Sequence, residues 1–141
     1  MKNLEVSELL NELADYLEFA NEPFKVRAYR KAALVIGSLS EDIEQVWRED
    51  RLEELPGIGE GIAKKIDEFL KTGKLKKIEK LKKKTPVDME QLGRIEGLGP
   101  KTMIKLYREL KIKNIPELEN AAKQGKIQKV EGLGPVVEQN I

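Results

Sequence analysis

The chain has no cysteine and no histidine among its 141 residues. Without cysteine there is no disulfide, no thiolate nucleophile and no cysteine metal site. Without histidine, the commonest metal ligand and the usual general base at neutral pH are missing as well. Aromatic residues make up 5% of the chain, so its core must be built mainly from aliphatic side chains.

Long apolar runs are also absent. No run approaches the roughly 20 residues that a membrane-spanning helix needs, and the first residues do not have the pattern of a signal peptide. We therefore expect no membrane partner and an intracellular, soluble protein.

Charge is abundant but unevenly distributed. The net charge is +1, with 36% charged residues. Residues 1–22 carry six acids against one lysine, whereas residues 71–84 carry eight lysines against one glutamate. A local basic patch of this kind binds phosphate groups even when the total charge is near zero. The alternative interpretation of segment 71–84 is a solvated helix face.

The hydrophobic periodicity is helical nearly everywhere and predicts an all-α fold. Pro23 is suited to the first turn of a helix that ends near Gly37, with Lys25, Arg27, Arg30 and Lys31 facing outward. Ser40 is placed to cap the next helix. Thr85-Pro86 predicts a break. The expected domains are therefore residues 1–84 and residues 86–141.

A Gly-apolar-Gly pattern occurs three times before a helix, in segments 55–59, 95–100 and 130–135. Paired glycines allow a tight turn and a close approach to another object, and a following helix offers free N–H groups to an anion. Three copies predict contact with a polyanion such as a nucleic-acid backbone. The alternative is that the glycines only make tight helix–helix turns. The last copy has six residues after Pro135, so we expect the chain to be part of a longer protein; the alternative is a natural terminus with a frayed helix.

These segments resemble a known family. Residues 28–33 (Ala-Tyr-Arg-Lys-Ala-Ala), Leu55-Pro-Gly-Ile-Gly and residues 63–75 are similar to the amino-terminal lyase domain of the family X (polymerase beta-like) DNA polymerases. Residues 86–141 resemble the helix-hairpin-helix DNA-binding subdomain that follows it, closest to the bacterial and archaeal branch. The resemblance implies sequence-nonspecific binding of gapped, nicked or incised abasic DNA during repair, in the cytoplasm or on the nucleoid.

The resemblance also implies specific contacts. In that family the hairpins grip the sugar–phosphate backbone and often hold a monovalent cation, Na⁺ or K⁺, on backbone carbonyls; no other cofactor is expected. The implied DNA-binding residues are Lys25, Gly57, Gly59, Lys64, Lys77, Gly97, Gly99 and Lys101. The implied cation ligands are the carbonyls of Leu55, Ile58, Gly93, Ile95 and Leu98.

Lys65 is the candidate catalytic residue. Helical spacing puts it at the edge of an apolar stripe, whereas Lys64 falls on the opposite, solvated face. Partial burial beside other cations favours a neutral amine, which Schiff-base chemistry needs, although many such lysines simply extend to solvent. The resemblance implies that Lys65 attacks C1′ of a 5′-deoxyribose phosphate, with Tyr29 beside it and Lys64 as an alternative nucleophile.

Two departures weaken the family's phosphate pocket. Phe24 and Gly61 stand where polymerase beta has a phosphate-contacting histidine and lysine. The polymerase palm of this family, whose three carboxylates hold two metal ions, is not in this sequence. Asp67-Glu68 does not replace it, because no third carboxylate is near in the sequence. We expect a chain that continues into a palm domain and cannot polymerise DNA alone. An inert DNA-binding or protein-interaction module remains the alternative to a lyase.

Overall fold

The computed structural model describes residues 1–130, and all of its regular elements are helices. The predicted all-α class is confirmed. The third Gly-apolar-Gly segment lies outside the described residues from Glu131 onward. The chain divides into two compact units, residues 1–84 and residues 85–141.

Unit 1 contains five α-helices. They are α1 (Asn3–Phe19), α2 (Pro23–Gly37), α3 (Ile43–Arg48), α4 (Glu60–Thr72) and α5 (Lys76–Lys84), with a 3₁₀ turn at Leu52–Glu54. Pro23 begins α2 as predicted, because its fixed φ suits a first helical turn. Gly73, with φ +78°, ends α4 in a left-handed conformation that glycine adopts readily.

The core of unit 1 lies between α1 and α2, with α5 packed against α1. Its largest fully buried side chains are Val6, Leu10, Leu13, Leu17, Ile36, Ile43, Val46 and Ile66. The lysine-rich α5 takes part through Ile78 and Leu81, which are buried, while most of its lysines are exposed.

An ion-pair group joins α1 to α2. The Arg30 guanidinium lies 2.8 Å from Asp15 and 3.4 Å from Glu18, and it donates to the Asn11 carbonyl. The prediction that Arg30 faces outward is therefore wrong: it bridges two helices. Burial raises the pKa of the Asp15 carboxyl, and Arg30 opposes that shift.

The start of α3 also differs from the prediction. Asp42, not Ser40, caps α3 by accepting a hydrogen bond from the Glu44 N–H at 3.0 Å. The buried Asn3 side chain positions this loop, because it donates to the Glu41 carbonyl (2.7 Å) and accepts from the Ile43 N–H (2.8 Å). A contact across 40 residues thus decides where α3 begins.

Unit 2 contains α6 (Met89–Leu92), α7 (Pro100–Leu110) and α8 (Ile115–Lys123), followed by a 3₁₀ turn at Ile127–Lys129. Its buried centre consists of Leu92, Met103, Leu106, Leu118 and Ile127. Each unit thus has its own apolar core, and each core supports one complete Gly-apolar-Gly turn.

Candidate nucleic-acid interface

The first hairpin is a tight turn over Leu55–Ile58. The Ile58 N–H donates to the Leu55 carbonyl at 3.1 Å, and Gly57 has φ +78°. Proline at the second position and a positive φ at the third are typical of a type II turn, in which glycine is favoured at the third position. Ile58 is buried, which anchors the turn on the core of unit 1.

The second hairpin repeats this geometry in unit 2. The Leu98 N–H donates to the Ile95 carbonyl at 3.1 Å, and Gly97 has φ +87°. Leu98 is buried, and Ile95, like Leu55 in the first hairpin, is half-buried. Two units with separate cores therefore present the same turn.

Gly59 and Gly99, the second glycines of the two hairpins, differ from the first glycines in backbone conformation. Their backbones are extended, with φ of −90° and −91°, a conformation that any residue adopts. A Cβ built on either one meets no atom within 4 Å. Neither backbone strain nor packing within the unit explains glycine at these positions, so the space that they keep open faces outward.

Each second glycine is also the N-cap of a helix. Gly59 precedes α4 and Gly99 precedes α7, and no side chain accepts a hydrogen bond from either first turn. Asp42, Asp88 and Asn114 cap α3, α6 and α8 with their side chains, whereas α1 and α2 also begin without a side-chain cap. The first N–H groups of α4, and those that follow Pro100 in α7, are therefore left for an external acceptor at the positive end of each helix dipole.

Lys65 lies on α4, the helix that follows the first hairpin, and is half-buried, while Lys64 is exposed, as helical spacing predicts. The Lys65 ammonium lies 5.7 Å from the centre of the Tyr29 ring, which is itself buried. Lys64 is paired with Glu60 at 3.0 Å. The structure thus brings together the two side chains proposed for the lyase chemistry, Lys65 and Tyr29.

The remaining predicted contacts are dispersed. Lys25 is exposed and paired with Glu22 at 3.2 Å, and Lys77 is exposed on α5. Lys101 is exposed in the first turn of α7, directly after the second hairpin. Gly61 lies in the first turn of α4 with open space around it.

Phe24 is 80% exposed, and the Arg27 guanidinium lies 4.8 Å from the centre of its ring. The first turn of α2 therefore presents an exposed aromatic–cation pair.

The carbonyls named as cation ligands belong to these turns. Those of Leu55 and Ile95 each accept one hydrogen bond within the turn, which leaves a second lone pair on each oxygen. Gly93 ends α6, and a Cβ there would lie 2.9 Å from the Met89 carbonyl oxygen, which explains its small side chain. In residues 1–130 no cluster of carboxylates is arranged to hold a metal ion.

Asp67 and Glu68 each accept a hydrogen bond from another part of unit 1. The Trp47 indole N–H donates to Asp67 at 2.8 Å, which fastens α3 to α4, and Glu68 accepts from the Lys76 N–H at the start of α5. The hydrogen bond from Trp47 and the nearby Lys71 lower the pKa of the Asp67 carboxyl. Its contribution to stability is therefore present above the ordinary pKa of 3.8 and is lost as the pH falls below it.

A cleft of about 430 Å³ lies beside this contact. It is lined by four carboxylates and one lysine, together with Trp47. The carboxylates are Asp50, Glu53, Glu60 and Asp67. This acidic surface would repel phosphate. The open side of the first hairpin, at Gly59, is therefore the better anion-binding face of unit 1.

No helix in the described part of the chain is long and apolar enough to cross a membrane.

Comparison with known proteins agrees with this geometry. Residues 1–75 match the model of a helix-hairpin-helix domain, and residues 89–141 match that of a SAM-like helix-hairpin-helix tandem. The chain is 35% identical to the DNA polymerase/3′-5′ exonuclease PolX of Bacillus subtilis over 100% of its own length. It is also 35% identical to DNA polymerase lambda of Arabidopsis thaliana over 87% of its length.

A third relative, DNA polymerase lambda of Rattus norvegicus, is 27% identical over 76% of the chain. The chain spans 24% of the Bacillus and Arabidopsis proteins and 18% of the rat protein. The predicted resemblance is confirmed: the chain belongs to the helix-hairpin-helix family, in the form found in the amino-terminal region of family X DNA polymerases.

Proposed function

We propose that this chain binds DNA through its sugar–phosphate backbone, as the amino-terminal part of a polymerase that acts on gapped or nicked DNA. One observation carries the proposal. Gly59 and Gly99 leave open space at uncapped helix N-termini, and neither conformation nor internal packing requires glycine there. The relatives are DNA polymerases, which supports the same substrate class.

The contact is expected to be independent of sequence. The groups that each hairpin offers are backbone N–H donors, which suit phosphate oxygens and do not distinguish bases. Lys101 adds a positive charge at the second hairpin. Because the net charge is +1, binding must depend on these local sites and not on the overall charge of the protein.

The test is a titration with two gapped duplexes of unrelated sequence over a range of salt concentrations. Affinities for the two duplexes are expected to agree within about twofold at each salt concentration and to fall together as salt rises. A strong preference for one sequence, or an affinity that does not change with salt, would contradict backbone binding.

A second candidate function is deoxyribose-phosphate lyase activity, favoured by the half-buried Lys65 over the Tyr29 ring. In this proposal the Lys65 amine attacks C1′ of the open-chain sugar, and loss of water forms the imine. Removal of a C2′ proton then breaks the C3′–O bond, which leaves a 5′-phosphate on the DNA. Water hydrolyses the remaining imine and frees the lysine.

The proposed monovalent cation would be held by the carbonyls of Leu55 and Ile58 in the first hairpin, and by those of Gly93, Ile95 and Leu98 in the second. Such an ion, Na⁺ or K⁺, would supply positive charge at the turn and so favour a bound phosphate. Replacing K⁺ by tetramethylammonium at constant ionic strength is then expected to weaken DNA binding. Equal affinity in the two salts would exclude a specific ion.

A further inference from the structure

A lysine outside both hairpins lies against the turn of the first one. Lys31, on α2, runs its side chain past Gly57: its Cγ, Cδ and Cε each lie 3.6 Å from the position that a Cβ on Gly57 would occupy. The ammonium is one bond beyond Cε and therefore lies at the turn. We propose that Lys31 is a phosphate-binding residue of the first hairpin, an inference that rests on the proposed binding of DNA backbone.

The charges of the hairpins explain why the first one needs such a residue. Residues 52–61 contain Glu53, Glu54 and Glu60 and no lysine or arginine. The corresponding residues 92–101 contain Arg94 and Lys101 against one glutamate. At physiological salt, charges within about 8 Å of a phosphate still act on it. The side chains of the first hairpin therefore oppose the phosphate that its backbone N–H groups are placed to bind, and in the described part of the chain only Glu60 is paired with a lysine, Lys64.

The three other lysines of unit 1 that were considered for DNA binding or catalysis near this turn each have a neighbour within the protein. Lys64 is paired with Glu60, Lys25 is paired with Glu22, and Lys65 lies over Tyr29. Within residues 1–130, no carboxylate pairs with Lys31. Its side chain is exposed, and its stem is already aligned along the turn, so binding a phosphate costs little additional side-chain ordering.

The test compares Lys31→Met with Lys31→Arg in the complete chain. Methionine keeps an unbranched stem against Gly57 and removes the charge, whereas arginine keeps the charge. For Lys31→Met, the slope of log K against log salt is expected to become shallower by about 0.9, the value of one phosphate contact, with affinity lower by several-fold at low salt. Lys31→Arg is expected to keep the wild-type slope, and both variants to keep the wild-type melting temperature.

Lys2→Met is the matched control. Lys2 is exposed just before α1, and its replacement by methionine removes the same single positive charge. Its slope is expected to equal that of the wild type. If the wild type binds DNA but Lys31→Met keeps its affinity and slope, Lys31 is not a ligand and the proposed function stands. An equal loss in Lys2→Met also overturns the inference, since it shows a general charge effect. A wild type that does not bind DNA contradicts the proposed function itself.

Discussion

Gly99→Ala and Gly59→Ala are each expected to weaken DNA binding with little change in the stability of the protein. Both glycines have extended backbones that alanine adopts, and an added methyl group meets no protein atom within 4 Å. The free energy of unfolding should change by less than about 1 kcal/mol, because the restriction that alanine places on the unfolded chain is offset by its poorer fit at a helix N-cap. The methyl group would instead occupy the space that a phosphate needs to reach the helix N–H groups.

The expected loss of affinity follows from those hydrogen bonds. A hydrogen bond to a charged group contributes about 1.5–3 kcal/mol, so the loss of one lowers affinity roughly tenfold to a hundredfold. The measurements are a DNA titration and urea unfolding of the same preparation. The larger effect is expected for Gly99→Ala, since the second hairpin carries the more favourable charges.

The first glycines of the two turns serve as matched controls with the opposite outcome. Gly57 and Gly97 have φ of +78° and +87°, where a side chain costs about 1–2 kcal/mol. Their alanine variants are expected to lose stability as well as DNA affinity. If Gly59→Ala and Gly99→Ala both bind DNA as tightly as the wild type, the open glycines are not phosphate contacts.

Lys65→Ala is expected to abolish the covalent adduct that borohydride traps on incised abasic DNA. The adduct forms only if an amine has made an imine with the sugar, and the half-buried Lys65 is the proposed amine. The expected reduction is more than a hundredfold in trapped protein, read from a denaturing gel. Lys64→Ala should keep the adduct, because Lys64 is exposed and paired with Glu60.

Lys65→Arg separates chemistry from binding. Arginine keeps the positive charge but stays protonated, so it forms no imine at neutral pH. DNA affinity is expected to remain near the wild-type value while the adduct disappears. An undiminished adduct in Lys65→Ala would remove Lys65 from the role, and no adduct in the wild type would remove the lyase proposal and leave DNA binding untouched.

Local patterns predicted much of the fold. Pro23 and Gly37 marked the first and last residues of α2, because each residue acts on its own backbone. The exposure of Lys64 and the partial burial of Lys65 follow from a spacing of about 100° per residue on one helix. The hairpin turns were also predictable, because each is formed by four consecutive residues and the same pattern recurs along the chain.

Contacts between distant segments were not predictable in this way. The start of α3 depends on Asn3, and the direction of Arg30 depends on acids of α1. Lys31 and Gly57 are 26 positions apart in the sequence. The pattern predicted that Lys31 faces outward, but it did not predict that its side chain would lie along the turn at Gly57. A single sequence shows the periodicity along each helix, but it does not show which other helix packs against it.

The salt dependence of DNA affinity tests the central claim most directly. If both hairpins and their lysines hold phosphates, log K should fall with log salt at a slope of about −2 or steeper between roughly 50 and 200 mM, for any duplex sequence. A slope near zero, with affinity that follows the base sequence, would contradict the account.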